Sequence, residues 1–134
     1  DCEKMSKSKN NIINIFASEN ELKKQIKSIE TDSKELESPK EWRTCNLYNI
    51  YKLIADENQI DTMKSKYEAG GYGYGHAKND LFQLIIEKYS EERKKFNHYI
   101  SNPNEVEEIL VKGAEKASIT ADKVLSRVRK KLGY

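Results

Sequence analysis

The sequence predicts an all-α protein, a helical bundle of about five or six helices behind an irregular N-terminal loop. Three observations predict it. Apolar residues recur at spacings of three and four along most of the chain, capping residues and Gly or Pro breakers separate these stretches, and no segment alternates with the period of two that a half-buried strand needs. The balance of 37% hydrophobic against 34% charged residues favours amphipathic helices over thick buried sheets. A chain of 134 residues buries roughly two-thirds of the surface its unfolded form exposes.

Residues 1–9 are polar and without periodicity, so they read as a loop, and Asn11 to Phe16 is a short apolar run, one helical turn or an extended arm. The hydroxyl of Ser18 can accept a backbone N–H while Glu21 reaches back, a capping box, and Leu22, Ile26 and Ile29 follow at helical spacing; a helix over 19–30 is predicted. Thr31 to Arg43, with Pro39, is a loop. Leu47, Ile50, Tyr51 and Ile54 form the next stripe, and Asp56 can cap a further helix whose inner face is Ile60, Met63 and Tyr67.

The run Gly70-Gly71-Tyr72-Gly73-Tyr74-Gly75 stops that helix. Ala77, Leu81, Leu84, Ile85 and Tyr89 begin a long one predicted to reach Ile100. Asn102 as N-cap and Pro103 at the first helical position restart the pattern. Val106, Ile109 and Leu110 lead to Gly113, where a break or kink is expected. Ala114, Ala117, Ala121, Leu125, Val128 and Leu132 carry the stripe on to Gly133, and the alanines should let this last helix approach its neighbours closely.

A net charge of +2 does not mark a nucleic-acid binder. The distribution is more informative: from Lys112 to Lys131 seven Lys or Arg face two acids, Glu115 and Asp122, so a polyanion footprint would lie near the C-terminus. Cys2 and Cys45 are 43 residues apart with no CxxC around either. They suggest neither a disulfide framework nor a metal knuckle, which suits a reducing, cytosolic compartment. No signal-like stretch and no run of membrane-spanning length is present. The opening Asp1-Cys2-Glu3, without an initiator methionine, reads as the start of a piece of something larger.

Chemistry concentrates in Lys4-Met5-Ser6-Lys7-Ser8. Two ammonium groups three residues apart, beside two hydroxyls on a loop with little apolar anchoring, suit a triphosphate. Its leaving pyrophosphate gathers charge during attack at the α-phosphorus, and lysines that tighten on that charge accelerate the step. A solvated Lys/Ser segment is the other reading of the same five residues. The glycine run could be taken for a phosphate-cradling loop, but such a loop follows a strand. Here a helix precedes it, which favours a helix–helix connector with Gly at positive φ.

His76 and His98 have no partner at metal-ligand spacing and read as surface or capping residues; no metal site is expected. Tyr48, Tyr51, Tyr67, Phe82, Tyr89, Phe96 and Tyr99 fall mostly on helical stripes, and core packing is expected for most of them; Cys45 reads as a small buried residue. Trp42 either covers one end of the bundle or stacks on an unpaired RNA base. Arg127, Arg129, Lys130 and Lys131 either form a solvated helix face or contact RNA phosphates, although they do not all share one face.

The segments that follow the loop are Thr31-Asp32-Ser33, Cys45-Asn46-Leu47 with Ile50-Tyr51, Tyr67-Glu68 ahead of Gly71-Tyr72-Gly73, Gly113-Ala114-Glu115-Lys116-Ala117, and a closing Val128-Arg129 and Leu132-Gly133. In that order the chain resembles the tryptophan–tRNA ligase family of class I aminoacyl-tRNA synthetases from its KMSKS loop onward, over essentially its whole length. The KMSKS motif is common to class I enzymes; the TDS and GAEKA segments point to the tryptophan branch, with the tyrosine branch, or a free-standing helical interaction module, as alternatives. Lys9-Asn10 stand where the family often has an acidic or Tyr-Gly pair.

The resemblance implies an enzyme that activates tryptophan with ATP, Mg2+ accompanying the nucleotide, and transfers it to its tRNA in the cytoplasm, as a homodimer, with no DNA or membrane partner. It implies that Lys4 and Lys7 are catalytic and that Lys4, Met5, Ser6, Lys7 and Ser8 bind ATP. Residues 1–17 would then be the loop and connecting arm of a catalytic domain, and 18–134 a helical anticodon-recognising domain containing Trp42, Arg127, Arg129, Lys130 and Lys131. The nucleotide-binding sheet, the HIGH-type motif and the tryptophan pocket would all lie upstream of Asp1. The isolated chain is therefore expected to form no adenylate and to hold no cofactor tightly.

Overall fold

The structure is a computed structural model that describes residues 4–9 and 11–133. Cys2 and Asn10, both noted above, lie outside the described residues. Among these, six α-helices and one short 3-10 turn form all the regular structure: Lys7–Lys9 (the 3-10 turn), α1 Glu19–Lys27, α2 Asn46–Lys52, α3 Glu57–Ala69, α4 Tyr74–Lys88, α5 Ser90–Ser101 and α6 Pro103–Leu132. The all-α prediction is borne out. The chain divides into two compact units, one ending at Arg93 and one beginning at Lys94.

In the first unit α1 packs on α4, α4 on α2, and α2 on α3. Ser18 starts α1, its Oγ accepting the N–H of Glu21 at 3.3 Å, and Leu22 and Ile26 face the core. Leu47, Tyr48 and Tyr51 of α2 are buried. The box at the start of α3 pairs Asp56 with Gln59: the carboxylate accepts the Gln59 N–H at 2.8 Å, and the Gln59 side chain accepts the Asp56 N–H at 3.0 Å. Ala77, Leu81, Phe82, Leu84 and Ile85 line the inner face of α4. Each fully buried aliphatic or aromatic side chain contributes about 1.5–3 kcal/mol relative to exposure.

Tyr67 is the hub. It is fully buried, and its ring centroid lies 6.1 Å from Tyr48, 5.6 Å from Tyr72 and 6.1 Å from Tyr74, in tilted or edge-on arrangements that aromatic quadrupoles favour. Its hydroxyl meets Cys45 Sγ at 3.8 Å, and Cys45 is a buried free thiol. Tyr72 donates to Asp80 Oδ2 at 2.7 Å, where Lys66 also arrives at 3.3 Å.

The expected helix from 77 to 100 is interrupted. Tyr89, partly buried against the core, takes φ −103° and ψ 20°, and helical torsions resume at Ser90 as α5. Hydrogen bonds from Tyr89 N–H to Ile85 O and from Arg93 N–H to Tyr89 O carry the ladder across the interruption. Arg93 then donates to the carbonyl of Ile15, tying the apolar arm down; Asn14 N–H reaches Gln25 Oε1 at 2.8 Å on its other side.

In the second unit α6 starts with Pro103 at its first position after Asn102, as predicted, but the Asn102 amide donates to His98 O at 2.7 Å instead of capping the helix. His98 Nε2 lies 2.6 Å from Glu105 Oε2, a surface role. The break expected at Gly113 does not occur: α6 is continuous over 30 residues. A central glycine costs a helix about 1 kcal/mol, and the Ala-rich turns after it make up the difference. Gly133, at φ 84°, ends the helix with its N–H on Arg129 O. No residue of α6 is buried, and its alanines are exposed.

The loop from Thr31 to Pro39 has no apolar run, and charge and dipoles shape it. Lys40 is 4% exposed, and its ammonium donates to the carbonyls of Glu35, Leu36 and Ser38 at 3.1, 3.0 and 3.1 Å. Those three bonds use all three donors. The backbone N–H of Lys40 bonds Tyr67 O at 2.8 Å, and Gly71 N–H bonds Leu36 O at 3.1 Å. Gly70 sits at φ 77°, and a Cβ there would lie 2.3 Å from Glu37 O. The glycine run is thus a connector with positive φ, as predicted, and also the surface on which this loop docks.

The loop is fastened at its other end by Asp32. A hydrogen bond with Tyr74 holds its carboxyl below the ordinary value of 3.8, against a smaller opposing effect of burial; the Lys34 N–H and the charges of Lys34 and Lys40 add to the lowering. Burial first, and then this same bond, pushes the Tyr74 hydroxyl up.

Gly70→Ala should lose roughly 2–4 kcal/mol of stability in urea denaturation, while Gly75→Ala, whose added Cβ would have no neighbour within 4 Å, should gain about 0.5–1 kcal/mol. Because the Asp32 carboxyl titrates lower when folded, its stabilisation is complete above the unfolded value of 3.8 and is lost as pH falls through the folded value. Tyr74→Phe should therefore flatten the acid limb of the melting temperature below about pH 4, and an unchanged limb would show that the bond does not contribute.

Candidate functional site

Polar contacts hold the loop from Lys4 to Ser8. Ser6 N–H donates to Asn11 Oδ1 at 2.8 Å, and Asn11 Nδ2 reaches back to Lys4 O at 3.5 Å. Ser6 Oγ and Ser8 Oγ are 3.2 Å apart, and Lys9 N–H points to the oxygens of Ser6, its carbonyl and its Oγ both at 3.3 Å. Lys4 and Lys7 are exposed. Asn11 was not singled out from the sequence, where an asparagine inside a polar stretch carries no periodic signal; its role as the brace of the loop appears only once the chain doubles back.

Met5, 46% exposed, fronts a cavity of about 260 Å³ whose other walls include Ile12, Ile13, Gln25, Ile29, Asn46 and Ile50. The loop thus rests over open space bounded by α1 and α2. The loop carries two ammonium groups and two hydroxyls, an arrangement that can pair with anionic oxygens and donate hydrogen bonds to them.

Trp42 is partly buried. Its ring packs 5.4 Å from Tyr48 and its Nε1–H donates to Glu68 Oε1 at 2.9 Å. The Arg43 guanidinium and the Lys64 ammonium lie 4.4 and 4.9 Å from its ring centroid. A stacking base would have to displace these cations or share the ring with them. Lys34, Lys40 and Arg43, together with Glu41 and Glu68, line a depression beside the same ring.

Arg127, Arg129, Lys130 and Lys131 lie in the last turns of α6 and are exposed. At 3.6 residues per turn, Arg127, Lys130 and Lys131 fall within about 100° of one another and Arg129 faces away. All four also complement the negative end of the helix dipole. These groups and the loop belong to different units. Two constellations escaped the sequence reading altogether: the Lys40 ammonium inside the 31–39 loop, and a cluster of Lys23, Lys27 and Lys78 where α1 meets α4. Their residues come together only through long-range packing.

The family model for class I tRNA synthetases (W and Y) matches residues 1–90. The tryptophan–tRNA ligase of Campylobacter jejuni strain RM1221 is 45% identical over 130 residues, covering 97% of this chain and 41% of that protein. The corresponding ligase of Rhodopirellula baltica is 37% identical over 133 residues, covering 99% and 42%. A crystal structure of Campylobacter jejuni tryptophanyl-tRNA synthetase complexed with ADP and tryptophan matches with a TM-score of 0.94 and 44% identity, over 98% of this chain and 41% of that one. The chain spans about two-fifths of the length of the curated relatives it matches. With the family match running from residue 1 to the start of α5, the chain belongs to the class I tRNA synthetases, the family of the tryptophan and tyrosine enzymes.

Proposed function

We propose that this chain is part of a tryptophan–tRNA ligase, which joins ATP, L-tryptophan and tRNA(Trp) to give tryptophanyl-tRNA, AMP and pyrophosphate. The observation that carries the proposal is the loop itself: KMSKS, with both lysines exposed and its backbone braced by Asn11, in a chain 45% identical to a protein of that name. Lys4 and Lys7 then contact the ATP phosphates. As the carboxylate of the amino acid attacks the α-phosphorus, the bond to the bridging oxygen breaks and negative charge grows on pyrophosphate. Two ammonium groups that approach this charge lower the barrier because they bind the transition state more tightly than the ground state. Ser6 and Ser8 stabilise the loop and offer hydroxyls to phosphate oxygens, and Met5 seats it over the adjoining cavity.

Mg2+ enters with the nucleotide. Among the described residues no group of three His, Cys, Asp or Glu is placed to hold a metal ion. The helical part serves the tRNA: Trp42 and the basic end of α6, Arg127, Arg129, Lys130 and Lys131, are the groups proposed to meet it. The intact enzyme works as a homodimer in the cytoplasm, and the chain by itself forms no adenylate.

In the intact protein, Lys4→Ala and Lys7→Ala should each lower kcat for tryptophan-dependent ATP–pyrophosphate exchange by roughly 10²–10³ with little change in KM for tryptophan. Exchange that depends on tyrosine, or exchange indifferent to both substitutions, would overturn the proposal. For tRNA, Arg127→Ala and Lys131→Ala should weaken binding to any tRNA and each reduce the slope of log affinity against log salt by about one. Unchanged filter binding at two salt concentrations would remove the α6 cations from the interface.

A further inference from the structure

Where α1 crosses α4, a cavity of about 340 Å³ is lined by three lysines, Lys23, Lys27 and Lys78, together with Asn79, over a floor formed by Ile26 and Phe82. No Asp or Glu lines it. Lys23 and Lys27 stand four residues apart on one face of α1, a like-charge pairing that destabilises a helix, and α4 brings Lys78 in beside them. Three cations gathered at one concave spot without a carboxylate are held against their own repulsion, which is the electrostatic condition of an anion site.

The remaining contacts prepare the group. Lys78 donates to Lys27 O at 2.8 Å, at the last turn of α1, which fixes its ammonium and leaves two further donors. Lys23 lies over the Phe82 ring, 4.7 Å from its centroid, so the aromatic floor is covered by a cation and is not a platform for a base. Burial pushes the Lys78 ammonium below its ordinary range; a bound anion would reverse that. The first turn of α4, whose amides lack intrahelical partners, forms part of the same rim through Gly75.

We propose that Lys23, Lys27, Lys78 and Asn79 form a phosphate-binding cradle, separate from the loop at residues 4–8. The chemistry recognised is a tetrahedral phosphate group, offered either by an RNA backbone or by free inorganic phosphate. The cradle does not depend on which amino acid the enzyme activates, so it stands or falls separately from the function proposed above.

The test uses the intact protein labelled with 13C at lysine Cε, with the Lys78 resonance assigned through Lys78→Arg. At constant ionic strength, replacing chloride by inorganic phosphate, or adding a short single-stranded RNA, should raise the pH midpoint of the Lys78 signal. The double substitution Lys23→Gln with Lys27→Gln should abolish the rise, whereas Lys4→Ala with Lys7→Ala should leave it. A rise with inorganic phosphate identifies a site for the free anion. A rise with RNA alone identifies a backbone contact, and the double variant should then reduce the salt slope of RNA binding by up to about two. No movement of the Lys78 midpoint with either anion, or movement that survives the Lys23/Lys27 double substitution, would overturn the cradle.

Discussion

The ammonium of Lys40, buried and shared among three backbone carbonyls, is the constraint on which the architecture of the first unit turns. A buried lysine is tolerated when its charge meets dipoles that replace water, and here those dipoles belong to the loop that would otherwise have no reason to take one shape. Once the carbonyls of Glu35, Leu36 and Ser38 converge on Nζ, Glu37 O presses against Gly70, Leu36 O receives the Gly71 N–H, and the Lys40 backbone bonds Tyr67. The loop, the end of α3 and the aromatic hub around Tyr67 are parts of one interaction. Removing the charge would leave three carbonyls without the donor they share.

Much of this fold was legible in the residues because its signals are local. The Asp56 cap, the stripe from Leu81 to Ile85 and Pro103 at the head of α6 each depend on neighbours within a turn or two, and each is found where expected. The failures have the opposite character. Tyr89 continues the apolar period of α4, so nothing local marks it as the point where helical torsions lapse; the departure belongs to its place against the core. Gly113 looked like a break because glycine is a poor helix residue, yet the strong helix formers around it outweigh a penalty of about 1 kcal/mol.

The same division runs through the functional groups. The five residues of the loop are contiguous and could be recognised as a set. Asn11, which braces them, is near in sequence but anonymous in type. Lys23, Lys27 and Lys78 come from two helices 51 residues apart at the Lys27–Lys78 contact, and no spacing rule joins them. Residues that perform chemistry by proximity in sequence are readable; those that act by convergence need the fold. Trp42 lies between these cases: either of its readings was open from the loop position, and its packing on Tyr48 with two cations at the ring gives it a structural duty whatever else it touches.

The brace at Asn11 also sets a timescale. The loop from Lys4 to Ser8 is held by a few hydrogen bonds at or near the surface, each worth about 1 kcal/mol net because water can replace it, and it rests over a void instead of a packed core. Lifting it therefore forfeits little dispersion energy, and surface loops of this kind rearrange in nanoseconds to microseconds. A nucleotide whose charge shifts during reaction can redirect such a segment with the differential affinity of one or two ammonium contacts. Movement on that scale would let the loop follow a shifting charge as a nearly equilibrated passenger.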